Sequence, residues 1–261
     1  MSEAVATATQ EDYDAWADYY DLTEGDRSAI VSYYRSLVVP GVDSLLDLGC
    51  GTGIITAAMV QQLECPRSPK PNDRVVGIDS SIQMLARAQS RAPDISWRQG
   101  DMRQPPVDGR FDLVTCCYNT LLLLPCENDV LQTMTTVRGL LAPQGRFAFD
   151  LFQPNLPRLR IPKHDRLLHA YVDSAGRRVE LREDAAFDED KQLLTLDWRL
   201  MDASAGRQLG NIRYLLRQHS HASIRRMLDA AGLRIVELSG DYDRSAFDAA
   251  SMRQVLVCAE A

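Results

Sequence analysis

The chain has 261 residues, 45% of them hydrophobic, with 29 Lys and Arg against 36 Asp and Glu and a formal net charge of −7. That length and apolar content suit one large domain, or one domain carrying an insertion, and the acidic balance with scattered arginines excludes affinity resting on clustered basic residues along a nucleic-acid backbone. The six cysteines form no Cys-x-x-Cys pair and no histidine stands at zinc spacing, so no metal site and no disulfide framework are expected, and a cytoplasmic setting is.

In chain order, residues 1–10 lack the basic and apolar regions of a secretory leader and read as a disordered tail, and no apolar run reaches membrane-spanning length. Residues 11–42 read as helices, with Tyr13, Trp16 and Tyr20 of YDAWADYYD at helical spacing. From 43 to 152, short leucine-rich or β-branched runs alternate with amphipathic segments, the pattern of βαβ units in a parallel sheet. Strands are expected at 44–48, 74–79, 94–98, 111–117 and 145–151. Between them, SSIQMLARAQSRA opens on Ser80 and Gln83 at capping-box spacing, and NDVLQTMTTVRGLLA sets Val130, Met134, Val137 and Leu141 on one helix face. The proline-rich ECPRSPKPNDR, 64–74, reads as a long surface loop.

After Leu151, FQPNLPRLRIPKHD is broken by prolines, and turn clusters at DSAGR, DEDK and DASAGR then separate runs at about 167–173, 178–187, 192–202 and 208–218. These predict a four-stranded antiparallel insertion over 153–219. The α/β pattern resumes over 220–261, where HASIRRMLDAAGL carries Ile224, Met227, Leu228 and Ala231 on one face and stops at Gly232, before strands near 233–239 and 252–259. The expected fold is α/β: a seven-stranded, mostly parallel sheet with helices on both faces and a small antiparallel β insertion after the fifth strand.

The segment SLLDLGCGTGIIT, 44–56, joins the first strand to a helix through Gly49, Gly51 and Gly53. Glycine there admits positive φ and lets backbone approach a ligand, and the helix N-terminus adds unpaired N–H groups. Asp79 closes the second strand, with Ser80 beside it, where a carboxylate can accept both hydroxyls of a ribose. Asp101 and Met102 follow the third strand, where a carboxylate and a backbone N–H can read an adenine edge. Three such features at the carboxyl ends of successive parallel strands predict a nucleoside-containing ligand. Ile54 stands where the third glycine of a dinucleotide fingerprint would fall, which disfavours a nicotinamide dehydrogenase.

LLDLGCGTG, VVGIDSSIQML, GDMRQPPVDGRFDLVTC and LLAPQGRFAFDLF, in that order, resemble the successive motifs of class I S-adenosylmethionine-dependent methyltransferases of the small-molecule group. The resemblance implies a Rossmann-like fold with S-adenosylmethionine as cofactor. It implies that Asp47, Gly49, Cys50, Gly51 and Gly53 hold the methionyl part, that Asp79 and Ser80 bind the ribose, and that Asp101 and Met102 bind adenine with Met84 over its face. The Tyr-Asp-x-x-Ala-x-x-Tyr-Asp start that these enzymes share is matched from Tyr13 to Asp21, which implies an aromatic lid: Tyr13 and Tyr20 over the cofactor, Trp16 toward the substrate.

Methyl transfer from a sulfonium is an in-line displacement, helped most by aligning the acceptor and excluding water. In CCYNTLLLLP, Cys117 and Tyr118 are expected to face the transferring methyl and Asn119 to hydrogen-bond the acceptor, while the vicinal cysteines read as strand packing rather than as a nucleophile. Neither the cysteine motif of RNA cytosine methyltransferases nor an Asn-Pro-Pro-Tyr motif is present. Related aminosugar N-methyltransferases place a histidine where this chain has Leu123, so that base is missing. His219 and His221, then His164 and His169, are the remaining base candidates, beside Tyr13, Tyr118 and Asn119 as other catalytic candidates. LSGDYDRSAFD resembles a Gly-Asp-Tyr/Phe-Asp stretch of the same group, which implies that Asp241 and Tyr242 line the acceptor pocket.

The expected function is methyl transfer to a small molecule, most readily to nitrogen, by proximity catalysis, in a monomer or homodimer that binds neither nucleic acid nor membrane. Oxygen or carbon acceptors, an RNA or protein acceptor, and a binding-only regulatory role are the alternatives.

Overall fold

The computed structural model describes residues 10–63, 74–173 and 176–261. The tail at 1–9, most of the loop at 64–74 and residues 174–175 of the DSAGR turn lie outside the described residues. Helices α1 (Gln10–Thr23) and α2 (Ser28–Ser36) precede the alternating series β1 (Leu45–Leu48), α3 (Ile54–Val60), β2 (Val75–Asp79), α4 (Ile82–Arg91), β3 (Ser96–Gln99), β4 (Phe111–Cys116), α5 (Glu127–Leu140) and β5 (Leu141–Phe152). A short helix α6 (Leu156–Leu159) leads into β6 (Lys163–Val172), β7 (Arg178–Asp188), β8 (Leu193–Asp202) and β9 (Arg207–Arg217), and α7 (His221–Ala231), β10 (Leu233–Ser239) and β11 (Arg253–Glu260) complete the chain.

Seven strands form one sheet in the order β10-β11-β5-β4-β1-β2-β3. β1 to β5 run parallel, and β11 lies antiparallel between β5 and β10. Alternation along the strands feeds two buried clusters on opposite faces. Leu46, Val114, Phe147 and Leu256 pack with Val130, Met134 and Val137 of α5 and Ile224 and Leu228 of α7. Leu45, Leu113, Ala148 and Val257 pack with Ile30, Tyr33 and Tyr34 of α2 and Met59 of α3. Strands buried on both faces are what continuous apolar runs such as SLLDL encode.

β6 to β9 form a separate antiparallel sheet in sequential order, the meander expected from the turn spacing. Its inner face, with Leu181, Leu200, Ile212 and Tyr214, packs on α1 and merges with the first core cluster. Close approach is possible because β9 carries Gly210, where a Cβ would meet Tyr19 at 3.0 Å and Trp16 at 3.4 Å. The outer face is laced with ion pairs such as Arg182–Asp165, Arg199–Asp184 and Arg213–Asp197.

Four local expectations are corrected. The N-cap of α4 is Ser81, whose hydroxyl accepts from the Met84 N–H at 3.1 Å. Ser80 sits one residue too early, still leaving the strand, and its carbonyl is taken by Gln99. The proline-broken stretch holds a helical turn, because Pro157 falls at the helix start, where its missing N–H costs nothing, and Asn155 caps it. β6 then begins at Lys163 rather than near 167, and β5 begins at Leu141 rather than 145.

Candidate functional site

At the end of β1 the chain turns through Gly49, Gly51 and Gly53 with φ of 70°, 55° and 74°. The turn is anchored by Gly49 and Cys50 N–H groups donating to the Ile78 carbonyl at 2.7 and 2.9 Å. Two of these glycines are required by packing as well as by φ: a Cβ on Gly49 would collide with Thr120, and one on Gly53 would stand 2.7 Å from Trp97. Gly51 differs, since a Cβ there would touch only Tyr20, at 3.8 Å. Its bare face opens onto a cavity of about 830 Å³ at the carboxyl ends of the parallel strands. That volume lies high in the range for small-ligand pockets, about 300–1,000 Å³.

Asp79, ending β2, lines this cavity. It accepts from Gly51 N–H at 2.8 Å and Ser81 N–H at 2.9 Å, so its carboxylate ties the glycine loop to the start of α4. Burial pushes its pKa up, partly offset by those backbone donors. Ser80, Met84, Asp101 and Met102 also lie on the wall. Asp101 is gripped by Arg103, which also reaches Asp129, and this guanidinium holds the Asp101 carboxyl below its usual range.

Helix α1 forms part of the roof through Tyr13 and Tyr20. Its acidic residues fasten it: Asp14 accepts from Ser81 and Gln83, Asp18 pairs with Arg87, and Asp21 receives Thr52 at 2.7 Å and Arg91 at 2.6 Å. The insertion completes the roof with Leu196, Trp198, Tyr214 and Leu216. Tyr214 is packed edge-on between Tyr13, at 5.9 Å, and Trp198, at 5.2 Å.

The wall after β4 is strained. Tyr118 and Asn119 both take left-handed φ, 61° and 63°. Buried Asp150 holds this turn: it accepts from Tyr118 N–H at 2.7 Å, Tyr34 hydroxyl at 2.7 Å and Tyr242 hydroxyl at 2.8 Å. Asn119 in turn accepts from the Phe152 N–H at 2.7 Å, and both Tyr118 and Asn119 line the cavity.

Glu24, the residue after α1, also lines the cavity. The Tyr118 hydroxyl donates to its carbonyl at 3.4 Å. Burial pushes the Glu24 carboxyl up, with Tyr118 and Arg27 opposing the shift. Burial likewise raises the Tyr13 and Tyr20 phenols far above their ordinary value, so both stay neutral.

Several residues singled out in the sequence lie elsewhere. Asp47 is buried beneath the loop, its carboxylate taken by Thr56 at 2.5 Å and Thr115 at 2.8 Å with Cys117 at 3.6 Å, and burial raises its pKa to about 6. Cys117, just past β4, thus turns its thiol to Asp47 and away from the cavity wall, which Tyr118 lines. Cys50 and Gly53 also stay off the wall, facing Gly77 and Trp97 respectively. Trp16 is core, 1% exposed, turned toward Tyr19 and the insertion. Tyr242 braces Asp150 from outside the cavity, and Asp241 contacts Arg253 at 3.4 Å. None of the histidines lines the cavity. His219 is buried, and burial depresses its pKa to about 4. His221 meets Gln254 and the Phe247 ring. His164 is exposed near Asp184, and His169 lies beside Tyr171. Conversely, Glu24, Trp198, Tyr214, Phe152 and Arg253 line the cavity without having been singled out.

Residues 45–145 match the family model for a methyltransferase domain. Over 117 residues the chain is 36% identical to the putative methyltransferase YqeM of Bacillus subtilis, a stretch covering 43% of this chain and 44% of that protein. The chain thus spans less than half of that relative's length. The CcbJ methyltransferase of Streptomyces caelestis superposes with a TM-score of 0.80 at 23% identity over 97% of this chain and 99% of that one. The S-adenosylmethionine-bound CalS10 of Micromonospora echinaspora, an amino pentose methyltransferase, does so with a TM-score of 0.68 at 22% identity over 94% and 95%. Residues 45–145 are thus a methyltransferase domain.

The cavity lining fits S-adenosylmethionine. The bare Gly51 backbone and the Asp79 carboxylate meet on one wall, Asp101 and Met102 on the next. Neutral tyrosine rings and the carboxylates of Asp79 and Glu24 make this part of the cavity attractive to a sulfonium cation. Among the described residues, no helix is long and apolar enough to cross a membrane.

Proposed function

We propose that this methyltransferase acts on the amine nitrogen of a small molecule held between the glycine loop and the β6–β9 roof, with Glu24 as the base. When bound, S-adenosylmethionine supplies a methyl group on a positively charged sulfur. The chain's own residues do the rest. An amine arrives mostly as its ammonium, which has no lone pair to offer, so a proton must leave first. Glu24 is the observation that carries the reading: a carboxylate made more basic by burial, on the cavity wall beside Tyr118 and under the aromatic roof. Tyr13, Trp198 and Tyr214 present ring faces and edges that accommodate a cation and exclude water. The roof supports a small acceptor, since it is built from the insertion packed directly on α1.

The test incubates the protein with methyl-labelled S-adenosylmethionine and separate metabolite, RNA and protein fractions. Label is expected in small metabolites retained on a cation exchanger, as methylated amines are. Label in RNA or protein, or in neutral small molecules only, would sink the amine assignment.

A further inference from the structure

The cavity has a second charged pole that amine recognition leaves unused. Arg253, the first residue of β11, stands opposite Phe152 in the β5–β11 ladder and lines the cavity. Its guanidinium carbon lies 4.8 Å from the ring centres of both Phe152 and Tyr242. Tyr242 is itself fixed by Asp150 at 2.8 Å, so the guanidinium is clamped in place before any ligand binds. Its ion pair with Asp241 is a long 3.4 Å from Nε, to a carboxylate that is 48% exposed, and buried Asp150, already holding Tyr34, Tyr118 and Tyr242, also feels its charge. Nη1 is buried with no hydrogen-bond partner. A half-buried, preorganised and incompletely satisfied guanidinium fits a planar acceptor supplied from the cavity that it lines. Tyr118 lies between the two poles, feeling both the Glu24 carboxylate and the Arg253 guanidinium.

We infer that the acceptor molecule carries a carboxylate, received by Arg253, as well as the amine received by Glu24. The acceptor is then an amino acid or an amino-acid-derived compound. This rests on the proposed function in taking the cavity as the acceptor pocket.

The test uses two simple probes with saturating S-adenosylhomocysteine and calorimetry in place of turnover: 3-phenylpropionate, a carboxylate without an amine, and phenethylamine, an amine without a carboxylate. Arg253→Gln is expected to weaken 3-phenylpropionate by about ten- to a hundred-fold and to leave phenethylamine within about twofold. Arg253→Lys should recover part of the loss and serves where the Gln variant folds poorly. No binding of 3-phenylpropionate to the wild-type protein, or equal binding to Arg253→Gln, overturns the carboxylate inference alone. Equal weakening of S-adenosylhomocysteine by Arg253→Gln also overturns it, assigning the guanidinium to the cofactor's own carboxylate. Failure of phenethylamine to bind, or its indifference to Glu24→Gln, overturns the amine reading and with it this extension.

Discussion

Asp79→Ala is expected to weaken S-adenosylmethionine and S-adenosylhomocysteine binding by at least about 100-fold. The carboxylate has two duties. It receives the backbone N–H groups of Gly51 and Ser81, and its position on the cavity wall suits a ribose diol. Charge-assisted hydrogen bonds contribute about 1.5–3 kcal/mol each, so losing two to a diol alone amounts to roughly 100-fold or more. Removal also leaves two N–H groups at the loop without their acceptor. Asp79→Asn separates the duties: an amide oxygen can keep one backbone donor, so the loop should hold while ribose binding still suffers. Calorimetric titration with S-adenosylhomocysteine reads both variants, and a dissociation constant within about threefold of wild type for Asp79→Ala would remove Asp79 from the cofactor site.

Glu24→Gln is expected to lower kcat/KM by about 10²- to 10⁴-fold, the usual contribution of a positioned general base. The groups around this carboxyl are Arg27, Asp21 and Tyr118, and burial outweighs the cation and the hydroxyl. As a base it must be ionised, so wild-type kcat/KM should fall as pH drops through a value above the ordinary carboxylate range, and this limb should vanish in the variant. The stability effect has the opposite sense. A carboxyl whose folded pKa is raised binds protons more readily folded than unfolded, so its contribution is present at low pH and is lost as pH rises through the folded pKa. Glu24→Gln removes an ionised buried group at pH 8 and should melt no lower there than wild type. A rate loss accompanied by a large drop in melting temperature would point to a structural role.

The parts of the site that are contiguous in sequence were legible in it. A strand, three glycines and the start of a helix lie within SLLDLGCGTGIIT, Asp79 ends the second strand and Asp101 follows the third. The stop of α7 was equally local, at Gly232 with φ of 73°. Glu24 and Arg253 were not legible, because each is an ordinary charged residue until α1 and β11 converge on one cavity. Trp16 was misplaced because an i, i+3, i+7 stripe is wide enough to span two environments. Tyr13 and Tyr20 sit on the edge facing the cavity, and Trp16 on the edge facing Gly210. Cys117 and Tyr118 show the same limit at the scale of one residue: the thiol turns to Asp47, and the left-handed turn held by Asp150 carries the phenol to the cavity.

Tyr19 of α1 donates to the carbonyl of Leu209 in β9 across 190 residues of chain. Contacts of such separation require closure of a very long loop and come late as a polypeptide organises itself. The glycine loop and Asp79, by contrast, need only neighbouring βα units. The cofactor cradle is therefore expected to assemble first and the roof last. In hydrogen exchange, α1 and the β8–β9 ribbon should open together at lower cost than the central strands β1 and β4.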